Sequence, residues 1–254
     1  MVCSPSRVVG VLFLAVASLP QSASALDTWD PYGPLGAGAD LWFVGKVDPT
    51  GGPKGEPRGE LGGVLRGYLG LGPFNLYGTF ELVADPATGI DLVGGGPGIY
   101  AAPIDTAVFD LDLGFEFLFL GPDAAVLVPT PWVELNIDFG PKQSVAGIFA
   151  KVDLPIRLTP VQDEDPSVRL DLEWTIGAYF SFAKRHQLLL GWRDLATLLP
   201  SSEVPPGEVA IGWNAKIIPV LELITEVAVG IPLAEEWPTF TGTIGLELAL
   251  GGGP

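Results

Sequence analysis

The sequence predicts an all-β fold, a closed antiparallel β-barrel of about twelve strands that crosses a membrane. Three observations support this prediction. Apolar and polar side chains alternate over most of the 254 residues, as they do in strands with two different faces. After the first 25 residues, no run reaches the roughly 20 apolar residues that a spanning helix requires. Long and short connections alternate along the chain, which is typical of membrane barrels.

The alternation is clearest in the stretch VRLDLEWTIGAYFSF, residues 168–182. Every even-numbered position from Val168 to Phe182 is apolar, whereas Arg169, Asp171 and Glu173 begin the other set. Successive side chains of a strand point to opposite faces, so this stretch forms a ribbon with one apolar and one polar face. Its length exceeds the roughly 9–11 residues that a tilted strand needs to cross a bilayer.

Similar patterns, bounded by glycine, proline and polar clusters, predict the other strands. The predicted set covers 38–47, 59–71, 74–83, 91–101, 107–120, 126–139, 145–158, 168–182, 186–195, 208–217, 221–230 and 238–250. Pro97 lies in the middle of the fourth strand, where a missing N–H requires a bulge or a kink. Pro129, Pro131 and Pro155 are predicted near the ends of their strands, where proline is tolerated.

The chain divides into four predicted segments. Residues 1–25 have the features of a cleaved secretory signal: Arg7, an apolar core over 8–19 and the small residues Ala23-Ser24-Ala25. An uncleaved signal anchor is the alternative. Residues 26–37 form an N-terminal lead-in, residues 38–250 the barrel, and residues 251–254 a C-terminal tail.

Alternation alone does not say which face points into the barrel. A soluble lipid-binding barrel would turn its apolar face inward. Two features favour a membrane barrel with the apolar face outward. The apolar face carries aromatic residues near strand ends, as an interfacial girdle does, namely Phe139, Phe180, Phe182 and Phe240. The polar face carries glycines, which suit a crowded interior, namely Gly62, Gly114, Gly177 and Gly212.

From the signal to the last strand, the chain resembles the broad class of Gram-negative outer-membrane β-barrel proteins. The resemblance is one of pattern, without a family-specific motif. It implies localisation in the outer membrane, where lipid is the partner of the apolar face. Members of this class usually end in a strand that closes on an aromatic residue, whereas here the strand 238–250 is followed by Gly-Gly-Gly-Pro.

The polar face predicts the chemistry of the barrel interior. Arg66, Glu81 and Glu247 share this face with the predicted lumen-lining residues. Acids outnumber bases on it about two to one, which favours a channel or passive transporter for small polar or cationic solutes. The alternatives are charges that pair into a closed ladder, and a structural or adhesive barrel whose external loops bind a partner. The predicted lumen-lining residues are Asp110, Asp112, Glu116, Glu134, Asp138, Lys151, Asp153, Arg157, Arg169, Asp171, Glu173, Arg193, Lys216, Glu222 and Glu226.

Composition excludes several classes of function. The formal net charge is −17, whereas nucleic-acid binding needs a basic patch to neutralise phosphates. The single cysteine, Cys3, excludes an internal disulfide and a cysteine-based metal site. No nucleic-acid partner and no cofactor are therefore predicted.

Two further features bear on catalysis and metal binding. His186, the only histidine, lies across a predicted turn from Ser181, but the spacing matches no hydrolase pattern, so we predict no enzyme and no catalytic residue. Asp163, Glu164 and Asp165 form an acidic cluster in a predicted external loop. A divalent-cation site is one interpretation of this cluster, and a solvated loop tip is the other.

Overall fold

The computed structural model describes residues 36–49, 58–71, 73–85, 89–106, 108–121, 126–139, 146–159, 167–183, 185–199, 207–231 and 238–250. The predicted signal, most of the lead-in, the tail and the cluster Asp163, Glu164 and Asp165 lie outside these ranges. The described part of the chain contains no helix that is long and apolar enough to span a membrane.

Within the described ranges, thirteen strands form one antiparallel sheet. They are β1 (Ala37–Asp48), β2 (Arg58–Leu71), β3 (Phe74–Asp85), β4 (Gly89–Asp105), β5 (Phe109–Leu120), β6 (Val126–Phe139), β7 (Ala146–Asp153), β8 (Ile156–Thr159), β9 (Ser167–Phe182), β10 (His186–Leu199), β11 (Glu208–Ile218), β12 (Leu221–Gly230) and β13 (Phe240–Leu250).

The sheet closes on itself, because β13 pairs with β1 from Ala37–Leu250 to Val47–Phe240. Strands β7 and β8 share one place between β6 and β9. The barrel therefore has twelve strand positions, and the predicted fold is confirmed. Closure pairs the first described strand with the last, as a sheet in lipid requires because no water is available there to satisfy the backbone groups of an open edge.

The predicted strand 145–158 is interrupted at Leu154–Pro155. The ladder between β6 and β7 ends at Trp132–Asp153, and β6 meets β8 only at the pair Leu127–Leu158. The Leu154 N–H donates to the Pro131 carbonyl at 3.0 Å, but Pro131 has no N–H to return the bond. Proline thus divides into two a strand that the alternation predicts as one.

Strand β4 accommodates Pro97 within its length. The register toward β3 shifts between Glu81 and Leu82. The ladder toward β5 passes from Gly95 to Gly98 without pairing at Pro97. The side chain of Pro97 is exposed on the apolar face. The predicted strand is present without a bulge at Pro97 itself. Pro97 pairs in register with Gly78, and the register shifts of β4 lie on either side of it, between Leu92 and Gly94 and between Ala101 and Ile104.

The two faces of the wall differ as the membrane interpretation expects. Large apolar side chains are exposed on the outside, including Leu61 at 60% and Ile211 at 61%, whereas Asp171 and Gln187 are buried on the other face. The four predicted girdle residues are among the exposed apolar ones: Phe139, Phe180, Phe182 and Phe240. A barrel that holds a greasy ligand in water would have the opposite orientation, so the soluble alternative is wrong.

Candidate functional site: the barrel lumen

The predicted lumen-lining residues all occupy inner-face positions, on the side opposite the exposed apolar residues. Four of them are buried: Arg157, Asp171, Glu222 and Glu226. Lys216 is exposed, and the other ten are partly accessible. The inner wall therefore presents charged groups that water reaches.

Part of this charge is paired along the wall. Asp171 contacts the Nε atoms of Arg157 at 3.3 Å and Arg169 at 2.9 Å. Lys151 Nζ lies 3.5 Å from Asp153 Oδ1. Arg193 on β10 pairs with Glu226 on β12, across the intervening strand β11. These pairs join residues of the same strand or of strands at most two places apart, so they run around the wall.

Inner-face glycines seat five aromatic rings against the wall. In each case the glycine is the cross-strand register partner of the aromatic residue, and a Cβ at the glycine would collide with the ring. The absence of a side chain lets the ring lie over the neighbouring strand instead of projecting into the lumen. The pairs are Tyr77 with Gly98, Trp132 with Gly114, Tyr179 with Gly147, Phe149 with Gly177, and Trp42 with Gly245.

Substitution Gly114→Val is expected to lower the conductance of the lumen, because its side chain would displace the Trp132 ring from the wall. Single-channel current in a planar bilayer measures this effect. Gly67→Val is the matched control, since Gly67 faces outward with open space around it. Equal conductance of the two variants would contradict this account of the ring positions.

Four aromatic residues on β2, β3, β4 and β6 form a continuous row on the inner face. Ring centroids are separated by 5.7 Å for Tyr68–Tyr77, 6.2 Å for Tyr77–Tyr100 and 5.8 Å for Tyr100–Trp132. Sequence reasoning did not identify this row. The available signal was the presence of large aromatic residues at positions whose alternation assigns them to the polar face.

His186 and Ser181 lie on opposite faces of the wall. His186 pairs with Phe182, and its ring stacks between Phe182 at 5.2 Å and Trp213 at 5.8 Å on the outer face. Ser181 pairs with Gln187, whose side chain is buried on the inner face. The geometry therefore does not bring the histidine and the serine together as a hydrolase requires.

Metal-binding geometry is absent from the described ranges, where no group of three His, Cys, Asp or Glu residues could hold an ion. The acidic cluster Asp163, Glu164 and Asp165 is not among the residues searched. Its interpretation as a divalent-cation site therefore stays a prediction.

The sequence matches no protein-family model and no curated protein. Among solved structures, an outer-membrane channel of Pseudomonas putida F1 is similar at a TM-score of 0.62 and 10% identity, covering 89% of this chain and 100% of that one. The NanC porin is similar at a TM-score of 0.58 and 9% identity, and the match covers 83% of this chain and 98% of the porin. The KdgM porin is similar at a TM-score of 0.52 and 8% identity, and the match covers 82% of this chain and 98% of the porin. At these identities the likeness establishes the fold alone, a closed antiparallel β-barrel like those of these porins and this channel.

Proposed function

We propose that this protein is a channel of the outer membrane for small polar or cationic solutes. The observation that carries the proposal is a closed barrel whose inner wall holds water-accessible charges, with acids in excess of bases. Twelve strand positions enclose more room than the eight-stranded barrels that side chains fill. The similar structures are a channel and two porins, which supports a conducting barrel.

Wall-bound pairing of the charges is consistent with this function. The ion pairs of Asp171 and of Glu226 hold their side chains against the strands, while Glu116, Glu134 and Asp138 remain partly accessible. A solute crossing the lumen would meet the accessible carboxylates. Cations are therefore expected to cross more readily than anions.

Planar-bilayer recording of the folded protein tests the proposal. We expect discrete conductance steps, and under a KCl gradient a reversal potential whose sign shows preference for K⁺ over Cl⁻. Folding is verified beforehand by the heat-dependent mobility of the barrel on a denaturing gel, and heat-unfolded protein is the control. Folded protein that inserts but gives no conductance steps would overturn the channel and favour a structural or adhesive barrel.

A further inference from the structure

We propose that the row of Tyr68, Tyr77, Tyr100 and Trp132 is a binding track for uncharged oligosaccharides. The inference deepens the proposed function, because it places a saccharide within the lumen of the channel. Tyr68, Tyr77 and Trp132 are partly accessible, whereas Tyr100 is buried between its neighbours. The accessible rings thus form a surface along one side of the lumen.

The row is held in place by contacts that fix its rings before a ligand arrives. The Trp132 Nε1–H donates to the Tyr77 hydroxyl at 3.1 Å, across the two strands β4 and β5. Those strands present Gly98 and Gly114 beneath the two rings. The Tyr68 hydroxyl donates to Asp40 Oδ2 at 2.7 Å. A surface fixed in this way loses little conformational freedom when a ligand binds.

The surface combines the two properties that a sugar ring requires. A pyranose has a face of C–H groups and a rim of hydroxyl groups. An aromatic face carries negative charge density that attracts C–H groups, and phenol and carboxylate oxygens accept hydrogen bonds from hydroxyls. Glu116 lies near the row, where it accepts a hydrogen bond from Thr79 on the strand that carries Tyr77.

The charges around the row favour an uncharged ligand. Lys151 stands over the Trp132 ring at 5.2 Å, and Arg66 pairs in register with Asp40 and Thr79 beside Tyr68. These resident cations would repel an organic cation from the rings. Glu116, Asp40 and the other carboxylates of the wall would repel a uronate. A neutral saccharide is repelled neither by the cations nor by the carboxylates.

Binding to the folded protein in a detergent without sugar headgroups tests the track. Calorimetric titration with maltohexaose is expected to show binding to the unmodified protein, and weaker binding of oligogalacturonate of the same length. Tyr77→Leu is expected to weaken maltohexaose binding about three- to tenfold. Tyr77→Phe keeps the ring but removes the acceptor of the Trp132 Nε1–H, so it is expected to weaken binding less than Tyr77→Leu does.

Trp132→Leu and Trp213→Leu form a matched pair, because Trp213 lies on the outer face. Only Trp132→Leu is expected to weaken binding. The track is overturned if the unmodified protein does not bind maltohexaose, if oligogalacturonate binds more tightly, or if the Trp213 variant is weakened equally. Equal losses in Tyr77→Phe and Tyr77→Leu would likewise overturn the stacking argument.

The titration separates the track from the channel itself. Calorimetry does not require conduction, so binding by a protein that gives no current steps would support the track and overturn only the proposed function. Conduction without saccharide binding would overturn only the track. Where both hold, maltohexaose is expected to interrupt the current through the unmodified channel, and the Tyr77→Leu channel should show shorter interruptions.

Discussion

Asp171→Ala is expected to destabilise the folded barrel by about 3–5 kcal/mol, because it removes the shared partner of two arginines. Asp171 is fully buried and contacts the Nε atoms of both Arg157 and Arg169. Most of the cost is expected from Arg157, whose side chain is only 11% exposed, since Arg169 at 37% can turn toward water. Urea unfolding in micelles, followed by tryptophan fluorescence, measures the change.

This carboxylate joins three strands where the backbone ladder is irregular. Asp171 lies opposite the interruption between β7 and β8, where its backbone N–H donates to the Pro155 carbonyl at 3.0 Å. Thr197 on β10 donates to Asp171 Oδ1 at 2.8 Å, beside a register shift between Thr197 and Leu199. Side-chain hydrogen bonds and ion pairs here supplement a backbone ladder with irregular pairing. Their removal is therefore expected to destabilise the contacts among β8, β9 and β10.

Asp105→Ala is the control for this prediction. Asp105 is exposed at the end of β4, where the same substitution is expected to change stability by no more than about 0.5 kcal/mol. Unfolding midpoints that coincide for the two variants would show that the Asp171 contacts contribute nothing. Asp171→Asn keeps the shape but removes the charge, and is expected to fall between the unmodified protein and the alanine variant.

Alternation determined the strands because it is a local property. In 168–182 the polarity of each side chain indicates which face of the strand it occupies, and this inference does not require the partner strand to be known. The break at Pro155 was not predictable in this way. It depends on Pro131 lying opposite, and that pairing is a matter of register, which alternation does not specify.

The aromatic row escaped sequence reasoning for the same reason. Alternation places Tyr77 and Trp132 on the polar face, but it does not show that Gly98 and Gly114 are their cross-strand partners. The glycines of the polar face were recognised as a sign of crowding, but not as seats for particular rings. The sequence predicts which face of the sheet a side chain occupies, but it does not predict which residue lies opposite on the neighbouring strand.

Besides the accessible carboxylates of the wall, a row of three buried carboxylates is expected to contribute to the ion selectivity of the channel, because their charge acts on ions in the lumen at a distance. Glu222 on β12 pairs in register with Glu247 on β13, which pairs with Asp40 on β1. All three are buried on the inner face. Lys216 and Arg66 are the next partners at either end, so the row carries more negative than positive charge.

Glu247→Gln is expected to lower the preference for K⁺ over Cl⁻ by about twofold or more, because it removes the central charge of this row. Reversal potentials at about 0.1 M salt measure the change, and the difference should shrink at about 1 M, where screening shortens the Debye length from about 10 to 3 Å. Like charges directly opposite each other destabilise a sheet, so the variant should unfold no more readily than the unmodified protein.

Asp194→Asn is the control, because it also removes one negative charge but on the outer face of the wall. Asp194 pairs with Trp174 on the outer face, where its Oδ1 accepts a hydrogen bond from the Leu195 N–H at 2.8 Å. A carboxylate there is separated from the lumen by the sheet and should leave selectivity unchanged. If Glu247→Gln conducts with the original selectivity, the carboxylate row does not control the passage of ions. If Asp194→Asn shifts selectivity equally, net charge rather than lumen position governs it.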